Sequence, residues 1–425
     1  MIHLRSSKAL CVVALLGAGA PVWAAPAARE RPKDTLQIVH QFYGSMPTGV
    51  TVSSKGRIFV NYPRWGDPVP FTVAEIVNGR EVPFPPVQLK ATGNRRLRPG
   101  YVGLGRLRVT QSDWNAFGTP NSRAKLSQEK SPRAEELRRT HFVGVQSVVV
   151  DARDRLWVLD TGSVLFGPTA PGGPKLVGID LSTNRVVKTI VFPPSVALPT
   201  TYLNDVRFDL TKGREGFAYI TDSGASGIIV VDLATGAAIR RLTNHPTTIK
   251  EPKFVPFPEG RAMFSTPPNQ FPTYVKFQTD GIAISPDGSR LYYCPLASRR
   301  LYSVSTAALR NFRASDATVA ATIIDHGEKG MADGLESDTA NRVYITQPET
   351  NSLSRRLPNG LFETLASSPR LLWPDTLSLA NDGYLYVTSN QLHRQKGYNY
   401  GKDLRQKPYT LFRLRVPDAR RIELK

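Results

Sequence analysis

Cysteine is scarce in this chain of 425 residues, which has only Cys11 and Cys294. Cys11 lies within residues 1–24, where a basic start, an apolar run and a small-residue end match a secretory signal peptide. Once such a segment is removed, a single cysteine remains, and this excludes an intramolecular disulfide. Cys294 lies in the apolar segment LYYCPL, so we expect a buried, unreactive thiol.

Histidine is also scarce, and the 6 histidines show no zinc-ligand spacing. The sequence has no H-E-x-x-H motif, no G-x-S-x-G elbow and no glycine-rich phosphate loop, which argues against zinc proteases, serine hydrolases and P-loop enzymes. Its apolar run at residues 9–20 is too short to span a bilayer. We therefore expect an exported protein, periplasmic or extracellular, without a membrane anchor.

The formal net charge is +20, which raises the question of nucleic-acid binding. The positive residues are scattered as doublets such as Arg138-Arg139 and Arg299-Arg300, with no lysine tract and no aromatic RNA-binding signature. Solvated surfaces explain such a pattern more simply. We expect no nucleic-acid partner.

One short pattern occurs six times: an apolar segment, a polar turn and a second apolar segment that ends in polar residues. Period-2 alternation around Gly, Asp or Asn predicts a β-hairpin, and repeated hairpins must stack to bury their apolar faces. Six such units predict an all-β fold, a six-bladed β-propeller with four-stranded blades and long loop insertions. The copies begin near residues 50, 145, 203, 280, 333 and 375.

The rest of the chain fits one propeller domain over residues 35–425, after a flexible leader at 25–34. We expect residues 35–43 to form a strand that pairs with residues 409–416 and closes the last blade. Two long insertions, 91–140 and 243–273, interrupt the blades, and the first contains a possible helix at 132–139. We expect a monomer.

Polar residues recur where the first strand of each repeat begins and where the second ends. Because these strands are antiparallel, both positions reach the same face of a propeller, at one mouth of its channel. Asp and Asn also cap turns, so each one alone has a structural explanation. Together they predict a polar site, since converging carboxylates repel unless a cation or polar ligand meets them. The strand starts are Gln146, Asn204, Asp205, Asp280, Asp333 and Asp375, and the strand ends are Asn61, Arg64, Asp160, Asp222, Gln347 and Asn390.

Four of these segments resemble the Yellow/major royal jelly protein family: GRIFVNYPRW (56–65), VVVDARDRLWVLDTG (148–162), DGIAISPDGSRLYYCPLASRRLYSVST (280–306) and WPDTLSLANDGYLYVTSNQL (373–392). The run NYGKDLRQKPYTLFR (399–413) resembles the family's closing segment. The resemblance implies a secreted six-bladed propeller. It also implies dopachrome conversion, biogenic-amine binding in the channel or a nutritive role, which are the functions found among family members. Bacterial relatives are commonly described as dopachrome tautomerase-related.

A more distant resemblance is to gluconolactonase-like, metal-dependent propellers, carried by Asn204-Asp205-Val206, residues 280–288 and Asp333-Gly334-Leu335. It implies a lactone hydrolase with Asn204, Asp280 and Asp333 as ligands to Ca²⁺. Those enzymes use a first-blade glutamate, whereas PTGVTV (47–52) has no acid, which weakens this alternative. No cofactor other than calcium is suggested.

The leading hypothesis is a propeller that binds a small aromatic or amine ligand at the channel mouth and tautomerises a dopachrome-like compound. Tautomerisation needs only a positioned proton donor and acceptor, which Asp333 and Asp375 could supply. The alternatives are the lactonase and a non-catalytic binding propeller, so the expected partner is a catechol, an amine or a lactone. The expected ligand-binding residues are Gln146, Asn204, Asp205, Asp280, Gln347, Asn390, Arg64 and Trp65.

Overall fold

The computed structural model describes residues 35–86 and 114–425, and in this part the chain forms six four-stranded antiparallel sheets. Each predicted hairpin is present, and a second, outer pair of strands completes each sheet. In blade order the strands are β2 (Val50–Val52), β3 (Ile58–Asn61), β4 (Val73–Val77) and β5 (Arg80–Pro83); β6 (Val145–Val150), β7 (Arg155–Asp160), β8 (Lys175–Asp180) and β9 (Arg185–Val191); β10 (Leu203–Asp209), β11 (Phe217–Asp222), β12 (Ile228–Asp232) and β13 (Ala238–Arg241); β14 (Thr279–Ile284), β15 (Arg290–Pro295), β16 (Arg300–Ser305) and β17 (Ile324–Glu328); β18 (Leu335–Ser337), β19 (Val343–Gln347), β20 (Ser352–Arg356) and β21 (Phe362–Ser367); β22 (Pro374–Leu379), β23 (Tyr384–Ser389), β24 (Tyr409–Arg415) and β1 (Gln37–Phe42).

The first strand of each blade lines the central channel. Strands β2, β6, β10, β14, β18 and β22 contact one another in that order and close into a ring. The predicted fold, a six-bladed β-propeller, is therefore confirmed. The sheets are held together by apolar side chains packed between neighbouring blades, such as Trp157, whose ring stacks on Phe208 of the next blade at 5.3 Å.

The last blade is closed by the two ends of the described chain. Strand β1 pairs antiparallel with β24, with Gln37 opposite Arg413 and Phe42 opposite Tyr409. The predicted pairing of residues 35–43 with 409–416 is confirmed. Because the outermost strand comes from the N-terminal end and the other three from the C-terminal end, the ring cannot close until both ends are in place.

The α-helical segments are short and lie between strands. Helices α1 (Arg123–Gln128) and α2 (Pro132–Thr140) belong to the 91–140 insertion, and α3 (Thr306–Leu309) and α4 (Asp316–Ala320) connect β16 to β17. Helix α2 confirms the helix predicted at 132–139, and the side chain of Ser131 caps it by accepting the amide of Ala134. In residues 35–86 and 114–425 no helix is long and apolar enough to cross a membrane. Cys294 is buried in β15 as predicted, and burial raises the pKa of its thiol.

The described residues belong to one compact unit. The predicted signal peptide (1–24), the leader (25–34) and part of the 91–140 insertion lie outside the described residues.

Candidate functional site

Irregular pairing occurs where the innermost strands begin. The register shifts between Leu203 and Val206 and between Thr279 and Ile282, and also between Pro374 and Leu377. A bulge adds a residue on one strand and turns its side chains away from the regular alternation. The residues inside these shifts are Asn204 and Asp205, Asp280 and Gly281, and Asp375 and Thr376. The bulges thus explain how buried strands present consecutive polar residues at one end of the channel.

Threonines on three of the second strands hydrogen-bond the backbone where the neighbouring innermost strands begin. The Oγ1 atom of Thr221 accepts the amide of Asp205 at 3.2 Å, and that of Thr346 accepts the amide of Asp333 at 3.1 Å. Thr388 accepts the amide of Thr376, next to Asp375, at 3.2 Å. The same residue type in three blades therefore holds the backbone beside the carboxylates in place.

A cavity of about 590 Å³ opens at this mouth of the channel. Its polar lining includes Gln146, Asn204, Asp280 and Asp333, and the two aspartates are almost fully buried. The aromatic side chains in its lining are Phe166, Tyr202, Phe277 and Tyr398. The volume and the combination of apolar walls with a few polar groups suit a small organic molecule.

Asp280 and Asp333 form a hydrogen-bonded carboxyl pair, which we call the acid pair. The amide nitrogen of Asn204 donates to Oδ1 of Asp280, and the indole N–H of Trp373 donates to Oδ2 of Asp333 at 2.6 Å. Burial and the charge of Asp333 raise the pKa of Asp280 well above its usual range. Burial also raises the pKa of Asp333, to about 6, although its two hydrogen bonds oppose the shift. Asp280 therefore keeps the proton, and Asp333 is the acceptor.

A chain of hydrogen bonds joins the wall of the cavity to its floor. The indole N–H of Trp65 donates to the hydroxyl of Tyr202 at 2.6 Å, and this hydroxyl donates to Oε1 of Gln146 at 3.0 Å. Trp65 also stacks on Phe166 at 5.1 Å. Trp65 therefore supports the aromatic wall from behind and is not itself part of the lining.

The other predicted residues lie outside the cavity lining and have protein partners. Arg64 donates to the carbonyl oxygens of Phe142 and Val143, and Gln347 donates to that of Lys329. Asp205 pairs with Arg207 at 2.8 Å.

The side-chain amide of Asn390 donates to Asp375 at 2.5 Å, and burial raises the pKa of Asp375 well above its usual range. Roles for these residues in ligand binding or catalysis stay predictions.

The strand-end acids anchor loops. Asp160 pairs with Lys175 at 2.6 Å, with both side chains fully buried, and also accepts the amides of Val143 and Gly144. Asp222 pairs with Arg240 at 2.9 Å and accepts three backbone amides. The turn-capping explanation therefore accounts for both.

The suggested calcium ligands do lie together, but they bind one another. The amide nitrogen of Asn204 donates to Asp280, and the carboxyl of Asp280 is hydrogen-bonded to that of Asp333. In residues 35–86 and 114–425 no group of three or more His, Cys, Asp or Glu side chains is arranged to hold a metal ion. This donor set suits a shared proton and does not fit a calcium site in this arrangement.

Several site residues were not predicted. Tyr202 and Tyr398 come from loops, and their neighbours Asn204 and the run 399–413 were the only nearby signals. Trp373 was not predicted either, and its ring is fully buried. Its hydrogen bond to Asp333 could have been suspected from its position two residues before Asp375.

The fold and the site define a six-bladed propeller with an aromatic cavity and a carboxyl pair at one channel mouth. The sequence model of the family "Major royal jelly protein" matches residues 143–421. This chain belongs to the major royal jelly protein family.

Individual curated relatives align with this chain over less than half of their own length. Major royal jelly protein 7 of Apis mellifera is 31% identical over 170 residues, 39% of this chain and 35% of that protein. Protein yellow of Drosophila guanche is 28% identical over 271 residues, 63% of this chain and 40% of that protein. The chain thus spans well under two thirds of the curated relatives it matches.

Solved propellers are more distant. Regucalcin, a calcium-binding protein from Agrobacterium tumefaciens, is 14% identical with a TM-score of 0.49, covering 91% of this chain and 97% of that one. A gluconolactonase from Xanthomonas campestris is 10% identical with a TM-score of 0.46, covering 90% and 89%.

Proposed function

We propose that this protein binds a small aromatic amine in the cavity at the channel mouth and that the acid pair tautomerises a dopachrome-like compound. The observation that carries the proposal is the acid pair itself, a buried proton donor beside a proton acceptor at the floor of an aromatic-walled cavity. Family membership is consistent with it.

An amine suits this cavity because its charged floor groups are acidic. Lys276 is the one basic residue among the described lining residues, and it is solvent-exposed. The nearest buried cation along β10, Arg207, is paired with Asp205. A protonated amine would meet the Asp333 carboxylate, and Tyr202 and Tyr398 would contact the ligand ring or the cation.

Tautomerisation uses both carboxyls and needs no other reactant. The Asp333 carboxylate takes a proton from a ring carbon, and the Asp280 carboxylic acid gives its proton to the quinone oxygen. The hydrogen bond between the two side chains then returns the proton from Asp333 to Asp280. The product is an isomer of the substrate, and the acid pair ends in its starting state.

Two further parts of the proposal concern the protein as a whole. We propose that residues 1–24 direct export to the periplasm or outside the cell, and that the protein acts as a monomer. The basic surface would then face solvent and no nucleic acid.

The test uses the purified protein with dopamine and tyramine in calorimetry, and with dopachrome in an absorbance assay. We expect one amine to bind per chain and dopachrome to isomerise faster than it does spontaneously. Gluconolactone serves as the contrasting substrate. Lactone hydrolysis with no amine binding would contradict the proposal, whereas amine binding without dopachrome turnover would reduce it to a binding propeller.

A further inference from the structure

The insertion at 243–273 reaches the acid pair through a chain of three side chains. The carboxylate of Glu259, in the short 3-10 turn Pro258–Gly260, lies 2.7 Å from Nε2 of His393. The ring of His393 stacks on Trp373 with centroids 5.7 Å apart and planes 18° apart. Trp373 in turn donates its indole N–H to Asp333.

Each member of this chain is held from more than one side. Arg394 donates to both oxygens of Glu259, at 2.8 and 2.6 Å. His393 is 8% exposed, its Nδ1 has no hydrogen-bond partner among the described residues, and burial lowers its pKa. These features fit a neutral ring whose Nε2–H donates to Glu259. The ring is therefore fixed by one hydrogen bond and by its stack.

Strained backbone marks the same place. Glu259 and Trp373 have φ of 53° and 57°, in the left-handed region that non-glycine residues rarely adopt. Such strain persists where surrounding contacts over-determine the conformation, and it is concentrated at functional sites. The backbone carbonyl of Trp373 accepts a hydrogen bond from the backbone N–H of Asn390 at 3.2 Å, which anchors the main chain here. Trp373 thus holds an orientation that its own backbone preference would not supply.

We propose that Glu259 and His393 are positioning residues that hold the indole of Trp373 where its N–H meets Asp333. The 243–273 insertion, which also supplies Ser265, Gln270 and Thr273 to the cavity lining, thereby sets the geometry of the cavity floor. The inference rests on the proposed function only in giving Asp333 a ligand to act on. A misplacement of about 1 Å at such a group costs about 10²-fold in rate, so orientation matters.

The first measurement needs no ligand. The indole ¹⁵N–¹H resonance of Trp373 is assigned by its loss in Trp373→Phe or, if that variant does not fold, by elimination of the other four tryptophans with Trp23→Phe, Trp65→Phe, Trp114→Phe and Trp157→Phe. In Glu259→Ala we expect this resonance to shift and its hydrogen exchange to become about tenfold faster, because the hydrogen bond to Asp333 opens more often. Glu259→Gln retains an acceptor for His393 and should restore most of the signal.

The matched control is Glu251→Ala, in the same insertion, because Glu251 accepts from Ser298 at 2.6 Å and does not belong to the Glu259–His393–Trp373 chain. It should leave the Trp373 resonance unchanged. An unchanged resonance in Glu259→Ala, or an equal change in Glu251→Ala, overturns the positioning role.

The second measurement is dopamine affinity, which we expect to fall several-fold in Glu259→Ala and not in Glu251→Ala. If the resonance moves but the affinity of a dopamine-binding wild type does not, the functional half of the inference is wrong. If wild-type protein does not bind dopamine, the proposed function fails, and the resonance alone decides the geometry.

Discussion

The carboxyl groups of Asp280 and Asp333 share one hydrogen bond at the floor of the cavity, and each also accepts one N–H group, from Asn204 and Trp373 respectively. Two acids so close cannot both ionise in a buried site, so they divide the work of one acid and one base. Their different donors make the two carboxyls inequivalent, and the following predictions use that difference.

Asp333→Asn and Asp280→Asn should separate binding from turnover. Asp333→Asn removes the negative charge, and dopamine affinity should fall by about 10- to 100-fold, the value of a charge-assisted hydrogen bond. Asp280 is already protonated, so Asp280→Asn should change affinity less than about threefold but abolish dopachrome isomerisation, because no proton is left to donate. Calorimetry and the absorbance assay measure the two effects.

The control is Asp287→Asn, at the far turn of the same β14–β15 hairpin, where Asp287 accepts from Ser285 and Ser289. It should change neither affinity nor turnover. Equal loss of dopamine binding in Asp280→Asn and Asp333→Asn would show that the two carboxyls are not differentiated.

Dopamine affinity should depend on pH in the range where the acid pair titrates. The amine stays protonated throughout, so binding needs the anionic form of the pair. Because burial raises the pKa of Asp333 to about 6, affinity should fall about tenfold for each pH unit below that value. An unperturbed aspartate would hold its affinity to about pH 4. Calorimetry from pH 4.5 to 8 distinguishes a raised pKa of Asp333 from an unperturbed one. In Asp333→Asn the affinity should show no such pH dependence.

Asp375→Asn should stabilise the protein at neutral pH. Burial raises the pKa of Asp375, so the folded state binds its proton more tightly than the unfolded state, which releases it near pH 3.9. Stability from this group is therefore present below about pH 3.9 and is lost as pH rises towards the folded-state pKa. We expect urea unfolding to show a gain in the free energy of unfolding at pH 8, and a smaller gain at pH 5. A gain that does not grow with pH would contradict this explanation.

The fold was predictable because its signals are local. Alternating apolar residues around turns such as Asp287-Gly288 specify each hairpin, and stacking follows from the apolar faces. The strand-start acids were also predictable, because topology alone takes them to one mouth. The loop aromatics Tyr202 and Tyr398 were not, since their positions depend on long-range packing. Asp160 shows a further limit. Its position on the correct face was predictable, but the sequence did not reveal that its carboxylate forms a salt bridge with Lys175.

The buried pair of Asp160 and Lys175 should matter for stability and not for binding. Lys175→Met leaves an uncompensated buried carboxylate and should cost about 3–5 kcal/mol in urea unfolding. The partly exposed pair of Lys188 and Glu215, also at 2.6 Å, is the matched control, and Lys188→Met should cost much less than Lys175→Met, because solvent screens this pair. Dopamine affinity of the folded Lys175→Met protein should equal that of wild type. Weaker dopamine binding at unchanged stability would instead indicate that Asp160 takes part in ligand binding.

Chelation tests the alternative hypothesis, in which Asn204, Asp280 and Asp333 bind calcium in a lactonase. Asn204 directs its amide nitrogen towards Asp280, so a calcium ion would have to displace two hydrogen bonds and turn the amide before it gained three oxygen ligands. We expect the melting temperature and dopamine affinity to be the same in EDTA and in millimolar calcium, and metal analysis to find less than one divalent ion per chain. A bound ion would stabilise the folded state by mass action, so a calcium-dependent rise in melting temperature that Asp280→Asn abolishes would favour the lactonase instead.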